Sequence, residues 1–576
     1  MSGADTYLGL RAFVDELARC GLRHACTSPG SRSTPLVLSL VREARIAATS
    51  HLDERCGAFF ALGQAKATGL PVALACTSGT AAANFAPAVI EAHEARVPLL
   101  VLTADRPPEL RELGAGQTID QLKLYGGAAK WFLDVDDHAA TPERLRWLRQ
   151  LACRAFWTAL EGRPGVVHLN FALREPLVLD AALPESEPGG GGRADGRPWV
   201  TRPRPALNAA PSVLEDLRVA LGGARRPVVV AGRDERDAGL GAALAGFAAR
   251  SGIPLLADPL SGARRGSAAV AYYDALLRDA AWAGAHRPDL VLRFGDLPTS
   301  KPLRAWLHES RAARQLAFDP EAAWQDPGAA VSTLIAADAR PLLDQAPAST
   351  GDDGTWRTAW ADADRRAAAA IVGVLGPTGL TEPRVAAELG SWLPAGVTLV
   401  CGSSMPVRDV ETFFPARRDA VPRVLSNRGA NGIDGTVSTA FGVAAATDRP
   451  SVLLIGDVAL AYDIGGLLAA QRVGAPLVIV LVNNDGGGIF DFLPVAREGE
   501  AFEHHVATPH GLDFAHAAAL YSCGYQRVQT PAALREAVLA GLSAAGTTLV
   551  EARTNRAENV ELHRRIWAAV SAAQSG

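Results

Sequence analysis

PSVLLIGDVALAYDIGGLLAAQRVGAPLVIVLVNNDGGG, residues 450–488, contains two short apolar runs, PSVLLIGD and PLVIVLVNND, joined by a stretch of helical pattern. Continuous apolar runs of this length, far short of a bilayer span, read as strands buried on both faces of a parallel sheet. The first run ends at Gly456-Asp457, and the second delivers Asn483, Asn484 and Asp485 ahead of Gly486, Gly487 and Gly488. Asn484 follows Asp457 by 27 residues, one strand–helix–strand unit. A carboxylate and an amide oxygen therefore arrive together at strand ends, the place where open parallel sheets bind ligands. The glycines let a backbone carbonyl approach closely as a third oxygen. Hard oxygen ligands suit Mg²⁺ or Ca²⁺ rather than zinc, and helix N-termini behind Asp457 and the glycine run favour a diphosphate. Either half alone is ordinary turn chemistry. Both at this spacing point to a metal–diphosphate site.

The same alternation extends outward. Leu10, Phe13, Val14 and Leu17 mark one face of an amphipathic helix. HACTS at 24–28, VALAC at 72–76 and PLLVLTA at 98–104 have strand character, and the Ala-rich 80–94 reads as one helix. RPVVVAGR, IPLLAD and PDLVLRFGD repeat the pattern with a helix over 236–250, as do VTLVCGSS and TTLVEARTN near the C-terminus. Residues 184–198, with four consecutive glycines, and 345–355 read as linkers. The expectation is an α/β chain of three domains, 1–185, 199–345 and 356–576, each a parallel sheet flanked by helices. The first and third segments look like distant duplicates.

Composition narrows the function classes. The 576 residues carry 57 Lys and Arg against 61 Asp and Glu, a net charge of −4, which argues against a broadly basic nucleic-acid binder. Seven scattered cysteines without a CxxC pair argue against a disulfide framework or cysteine zinc site and suit a reducing cytoplasm. MSGADTYLGLRAF lacks the basic and apolar regions of a signal peptide, and no run is long enough to insert in a membrane.

The spacing of Asp457 and Asn484 resembles the diphosphate and metal motif of thiamine-diphosphate enzymes, with Val458 where many of them have a second glycine. Such enzymes need a glutamate at the coenzyme's pyrimidine ring, and Glu54 in HLDER is the candidate. Its plainer reading is a helix-start carboxylate favoured by the dipole. SPGSRSTPL (28–36), HLDER (51–55), TSGTAAAN (77–84), LTADRPPEL (102–110), GSSMPVR (402–408), SNRGANGIDG (426–435) and NNDGGGIFDFLP (483–494) together resemble the 2-succinyl-5-enolpyruvyl-6-hydroxy-3-cyclohexene-1-carboxylate synthase (SEPHCHC synthase) family of menaquinone synthesis.

That resemblance implies a transferase that decarboxylates 2-oxoglutarate and adds the succinyl unit to isochorismate, using thiamine diphosphate and Mg²⁺, with Mn²⁺ as a substitute. It implies Glu54 as the catalytic acid and Asp457, Asn484 and Gly486 as metal ligands. Coenzyme contacts would come from Ser78, Gly79, Thr80, Ser404, Met405, Gly456, Gly487, Ile489 and Phe490, and Ile433 would press the two rings of the coenzyme together. Arg408 and Arg428, with Ser404, would face the carboxylates of 2-oxoglutarate, because a guanidinium meets a carboxylate through two parallel hydrogen bonds. Ser31, Arg32, Arg106 and Gln117 would face isochorismate, and Lys301 and Leu493 would contact substrate. Two departures stand out: Gly116-Gln117 where the family commonly has Asn-Gln, and Lys301-Pro302 where it has Lys-Arg, which brings nearby Arg304 into consideration.

The family further implies a homodimer or dimer of dimers in the cytoplasm. Two rivals are another 2-oxoacid thiamine enzyme of the acetohydroxyacid synthase or decarboxylase type, and a non-catalytic sensor that keeps the coenzyme fold. The extra arginines disfavour the first, since pyruvate has one carboxylate, and Glu54 disfavours the second. His504, His505, His510 and His516 match no helical metal-ligand spacing and read as a surface loop near the site. VVVAGR lacks GxGxxG, so no dinucleotide site is expected in the middle segment.

Overall fold

A computed structural model describes residues 3–179, 182–183, 187, 191–203, 206–236, 239–346 and 351–575. Both expected linkers, 184–198 and 345–355, lie partly outside the described residues. The chain divides into two compact units. One comprises Met1–Arg204, Asn427–Asp448 and Tyr462–Ala475, the other Pro205–Ser426, Arg449–Ala461 and Pro476–Gly576.

The first unit holds a six-stranded parallel sheet of β1 (His24–Thr27), β2 (Ala47–Ser50), β3 (Val72–Cys76), β4 (Leu99–Asp105), β5 (Ala129–Val135) and β6 (Val166–Ala172), in the order β2-β1-β3-β4-β6-β5. Every residue of β3, β4 and β6 is buried, as unbroken apolar runs demand of central strands. The edge strands β2 and β5 are the more exposed and more polar ones. Helix Gly3–Cys20 buries Leu10, Phe13, Val14 and Leu17, the predicted face. The single helix expected over 80–94 is instead two, Thr80–Ala83 and Ala86–Ala95. Pro87 has no N–H to continue the first helix and is suited to the opening turn of a second.

The second unit holds two sheets. β7 (Pro227–Ala231), β8 (Leu255–Ala257), β9 (Ala269–Val270), β10 (Leu290–Phe294), β11 (Arg314–Phe318) and β12 (Thr333–Ile335) pair in the order β12-β11-β10-β7-β8-β9. This is the strand order of dinucleotide-binding folds, whose ligand crevice lies beyond the strand pair where the order reverses. Here that pair is β7 and β10, and an ion pair between Arg233 and Asp296 occupies the loops after them.

β13 (Thr398–Cys401), β14 (Arg423–Leu425), β15 (Ser451–Gly456), β16 (Val478–Asn483), β17 (Gly524–Val528) and β18 (Thr548–Arg553) pair in the order β14-β13-β15-β16-β18-β17. Position for position this is the order of the first sheet. Gly456 pairs with Val482, so the loops that begin with Asp457 and Asn484 leave adjacent strands at nearly the same height. The helix expected from 458 to 474 is broken into Asp457–Tyr462, a 3₁₀ segment Ile464–Leu468 and a short turn Ala469–Arg472.

Within the first unit, helix Glu54–Thr68 crosses helix Thr436–Ala446. A Cβ on Gly63 would stand 2.0 Å from the Thr439 carbonyl oxygen, so only glycine permits this approach. Asp463 explains the break after Tyr462: its carboxylate accepts the Ser438 N–H at 2.7 Å and the Ser438 hydroxyl at 3.0 Å, capping helix Thr436–Ala446. Burial pushes this carboxyl up to about 6.

Candidate active site

Two clusters carry the expected chemistry, one in each unit. In the first unit, Glu54 opens helix Glu54–Thr68, directly after the N-cap Asp53, whose side chain accepts the Arg55 N–H at 2.9 Å. Glu54 is half-buried, and the dipole of a fifteen-residue helix favours a carboxylate there. His51 leads into this loop. It is buried against Phe60, with ring centroids 4.5 Å apart, and burial, helped by Arg472, drives its imidazole down to about 4.

The loops after β3 and β4 lock together. The Ser78 hydroxyl donates to the Gln117 carbonyl at 2.8 Å, and Gln117 Nε2 donates back to the Ser78 carbonyl at 3.0 Å. Arg106 donates to the Ser78 hydroxyl and, at 2.8 Å, to the Gly116 carbonyl. Arg32 donates to the Leu173 carbonyl at 2.9 Å and pairs with Glu175 at 3.3 Å. Its guanidinium is held below its ordinary range by burial and by Arg106, so two cations share this end of the sheet. Ser31 is exposed beside them, and Thr80 opens the short helix after Gly79. Arg428 and Ile433 lie half-buried in the loop before helix Thr436–Ala446. Glu91 fixes that loop, accepting the Gly429 N–H at 2.8 Å and the Ala430 N–H at 2.6 Å. Gly435, at φ 62°, lies against the Phe59 ring with no room for a side chain.

In the second unit, Asp457 Oδ1 accepts the Val458 N–H at 2.8 Å and Oδ2 the Gly486 N–H at 3.0 Å. Burial holds this carboxyl above the usual range against those two donors. Asn484 Nδ2 donates to Glu382 Oε1 at 2.8 Å, while Asn484 Oδ1 is buried with no hydrogen-bond partner. The Gly486 carbonyl accepts the Gly488 N–H at 2.9 Å and keeps its second lone pair. The carboxylate, the orphaned buried amide oxygen and the loop carbonyl are all hard oxygen donors, the chemistry that suits Mg²⁺ or Mn²⁺ completed by phosphate oxygens. Among the described residues, no three His, Cys, Asp or Glu side chains gather as a metal cluster.

Ser404, at φ 71°, precedes helix Met405–Phe413, and its carbonyl accepts from Arg408 Nη1 at 2.5 Å. The Arg408 guanidinium is lowered by burial and by Arg304. Met405 is buried, Gly456, Gly487 and Ile489 are half-buried, and Phe490 and Leu493 are exposed.

Comparison with known proteins places this geometry. Residues 9–124 match the description "Thiamine pyrophosphate enzyme, N-terminal TPP binding domain", 195–400 "Middle domain of thiamine pyrophosphate", and 410–552 "Thiamine pyrophosphate enzyme, C-terminal TPP binding domain". The 2-succinyl-5-enolpyruvyl-6-hydroxy-3-cyclohexene-1-carboxylate synthase of Chloroflexus aurantiacus is 44% identical over 97% of this chain and 95% of its own. The proteins of that name from Geobacillus kaustophilus and Myxococcus xanthus are 45% identical over 96% of both chains, and 43% identical over 98% of this chain and 97% of its own. The chain belongs to the SEPHCHC synthase family.

The structure adds detail at two places in the SEPHCHC synthase pattern. Lys301 is exposed at the start of helix Lys301–Glu309, and Arg304, one turn on, is the cation that reaches Arg408. The histidines are not a plain surface loop. His504 and His505 lie in a π-helical turn, Glu503–Ala507, His516 lies in helix Phe514–Leu520, and His510 Nε2 sits 3.2 Å from Asp457 Oδ2. Three further residues were invisible to motif reading. Gln121 accepts the Gly79 N–H at 2.9 Å, Glu91 holds the Arg428 loop, and Glu382 holds Asn484. Burial, with Asp409 nearby, pushes the Glu382 carboxyl up to about 7.

Proposed function

We propose that this chain is a thiamine-diphosphate- and Mg²⁺-dependent transferase that takes CO₂ from 2-oxoglutarate and joins the remaining succinyl unit to isochorismate. The product is 2-succinyl-5-enolpyruvyl-6-hydroxy-3-cyclohexene-1-carboxylate, an intermediate of menaquinone synthesis. The near-full-length identity to synthases of that name carries the reading. The orphaned Asn484 oxygen, just past the strand that pairs with the one ending before Asp457, supports its metal half.

Thiamine diphosphate, when bound, supplies the electron sink for decarboxylation. The chain's own groups do the rest. Glu54 holds a proton at the pyrimidine nitrogen, next to the ring loop of Ser78, Gly79 and Thr80. Asp457, Asn484 and Gly486 would hold Mg²⁺ or Mn²⁺, and Gly456, Gly487, Ile489, Phe490, Ser404 and Met405 would line the coenzyme. Ile433 would pack against the coenzyme's rings. Arg408 and Arg428 clamp the carboxylates of 2-oxoglutarate. Ser31, Arg32, Arg106 and Gln117 orient isochorismate, with Lys301 or Arg304 and Leu493 beyond.

The domains are 1–185 for the pyrimidine end, 199–345 between, and 356–576 for the diphosphate end. A homodimer, or a dimer of dimers, in the cytoplasm pairs one copy's Glu54 with its partner's metal site. The deciding experiment mixes purified protein, thiamine diphosphate, Mg²⁺, 2-oxoglutarate and isochorismate and reads the adduct by mass. Turnover of pyruvate in place of 2-oxoglutarate would shift the assignment to another 2-oxoacid enzyme, and coenzyme binding without CO₂ release would leave a sensor.

A further inference from the structure

Asn484 presents an unusual balance. Its amide nitrogen is bound at 2.8 Å to Glu382 Oε1, yet its oxygen is buried with nothing to accept from. A side-chain amide has interchangeable ends, and only its surroundings decide which faces which way. Glu382 Oε1 takes a donor from Asn484 Nδ2 and another from the Thr554 hydroxyl, so it faces the amide as an acceptor, admitting the amide nitrogen and repelling the amide oxygen. Glu382 is itself fixed. It is 3% exposed, opens helix Glu382–Trp392 after the N-cap Thr381, and takes a second hydrogen bond from the Thr554 hydroxyl at 3.2 Å. Nothing in the sequence links positions 382 and 484, which stand 102 residues apart.

We infer that Glu382 is a positioning residue for divalent-cation binding: it holds the Asn484 amide by its nitrogen and so leaves the amide oxygen free for the cation. The inference rests on the metal reading of Asp457 and Asn484 proposed above. Partners that orient a ligand in this way are typically worth about 10–100-fold in metal affinity. The specific claim concerns polarity: the pair works because an acceptor at 382 faces a donor at 484. Reversing the polarity of one partner should break the site, and reversing both should mend it.

The test measures Mn²⁺ affinity directly, from the loss of the free-Mn²⁺ paramagnetic resonance signal, for full-length protein with excess thiamine diphosphate at pH 8. Glu382→Ala should weaken Mn²⁺ binding about 10–100-fold. Asn484→Asp, which sets two carboxyls against each other, should also weaken it. Adding Glu382→Gln to Asn484→Asp restores a donor opposite an acceptor and should tighten binding again by about tenfold, a coupling of the size that touching pairs show. A purely structural role for Glu382 predicts no such rescue. Wild-type affinity in Glu382→Ala, or no gain from Glu382→Gln in the Asn484→Asp background, would overturn the inference. If Glu382→Ala does not fold, the second comparison decides alone. Wild-type protein that takes up no Mn²⁺ with thiamine diphosphate present would remove the metal reading itself, and this inference with it.

Discussion

The carbonyl oxygen of Thr439 lies 2.0 Å from where a Cβ on Gly63 would stand, so two helices of the first unit meet backbone to backbone. One of them begins at Glu54, and the other follows the loop that carries Arg428 and Ile433. The proposed acid and the proposed ring support are thus tied by a contact that involves no functional side chain.

Gly63→Ala should force those helices apart. Overpacking of a close contact costs about 1–3 kcal/mol, and the loss should appear as a lowered midpoint in urea or thermal unfolding. An unchanged midpoint would mean that the crossing yields freely.

Glu54→Gln should leave folding nearly intact, because the side chain is half-buried and outside the hydrophobic clusters, and the change keeps its size. Turnover should fall by about 10²–10⁴, the usual loss for a proton-transfer group. Near wild-type turnover in a steady-state assay would remove Glu54 from the mechanism.

Asp457→Ala should abolish the Mg²⁺ dependence of coenzyme binding, read by titration calorimetry with and without the metal. Mixing subunits carries the test further. If one copy's Glu54 serves its partner's Asp457, Glu54→Gln and Asp457→Ala proteins, each inactive, should regain about one quarter of wild-type activity after random re-pairing in a two-fold dimer. No recovery from exchanged subunits would place both groups of a site in one chain.

Acid should destabilise the protein through His51. Its imidazole titrates near 4 when folded, against about 6.5 when unfolded. The unfolded chain therefore binds the extra proton between those values, and stability falls as pH drops from 6.5 towards 4. The slope is at most about 1.4 kcal/mol per pH unit for one proton. Urea unfolding of His51→Gln across this range should show a flatter profile than the wild type. Equal slopes would mean that His51 does not carry the effect.

Much of the fold was legible because its strands announce themselves. VALAC at 72–76 is β3 residue for residue, and the runs PSVLLIGD and PLVIVLVNND contain β15 and β16. Parallel strands buried on both faces need unbroken apolar runs, and few other elements do. The helices were less legible where long-range bonds override local pattern. The stretch after Tyr462 looks helical by composition but breaks so that Asp463 can cap Ser438, 25 residues earlier. Strand order likewise left no local trace. The middle sheet has dinucleotide-binding order without the glycine fingerprint, and an ion pair between Arg233 and Asp296 joins the loops after its two central strands.

In the proposed site, residues in glycine-rich loops at strand ends were readable, since turn chemistry and carboxylate or amide oxygens coincide there. The residues that hold them were not. Glu91 is 338 positions from the Gly429 amide it binds, and one of two glutamates in an Ala-rich helix looks like a solvated face until the fold buries it. Arg304 and Lys301 are separated only by burial, which a helix-start motif does not reveal.

The matching thread of the two outer sheets gives every loop in one a counterpart in the other. Glu54 follows β2 as Arg428 follows β14, Ser78 follows β3 as Asp457 follows β15, and Arg106 follows β4 as Asn484 follows β16. The two scaffolds are equivalent sockets that differ in the tips fitted to them. Grafting a tip between equivalent sockets, rather than redesigning a sheet, is therefore the natural route to altering what this protein accepts.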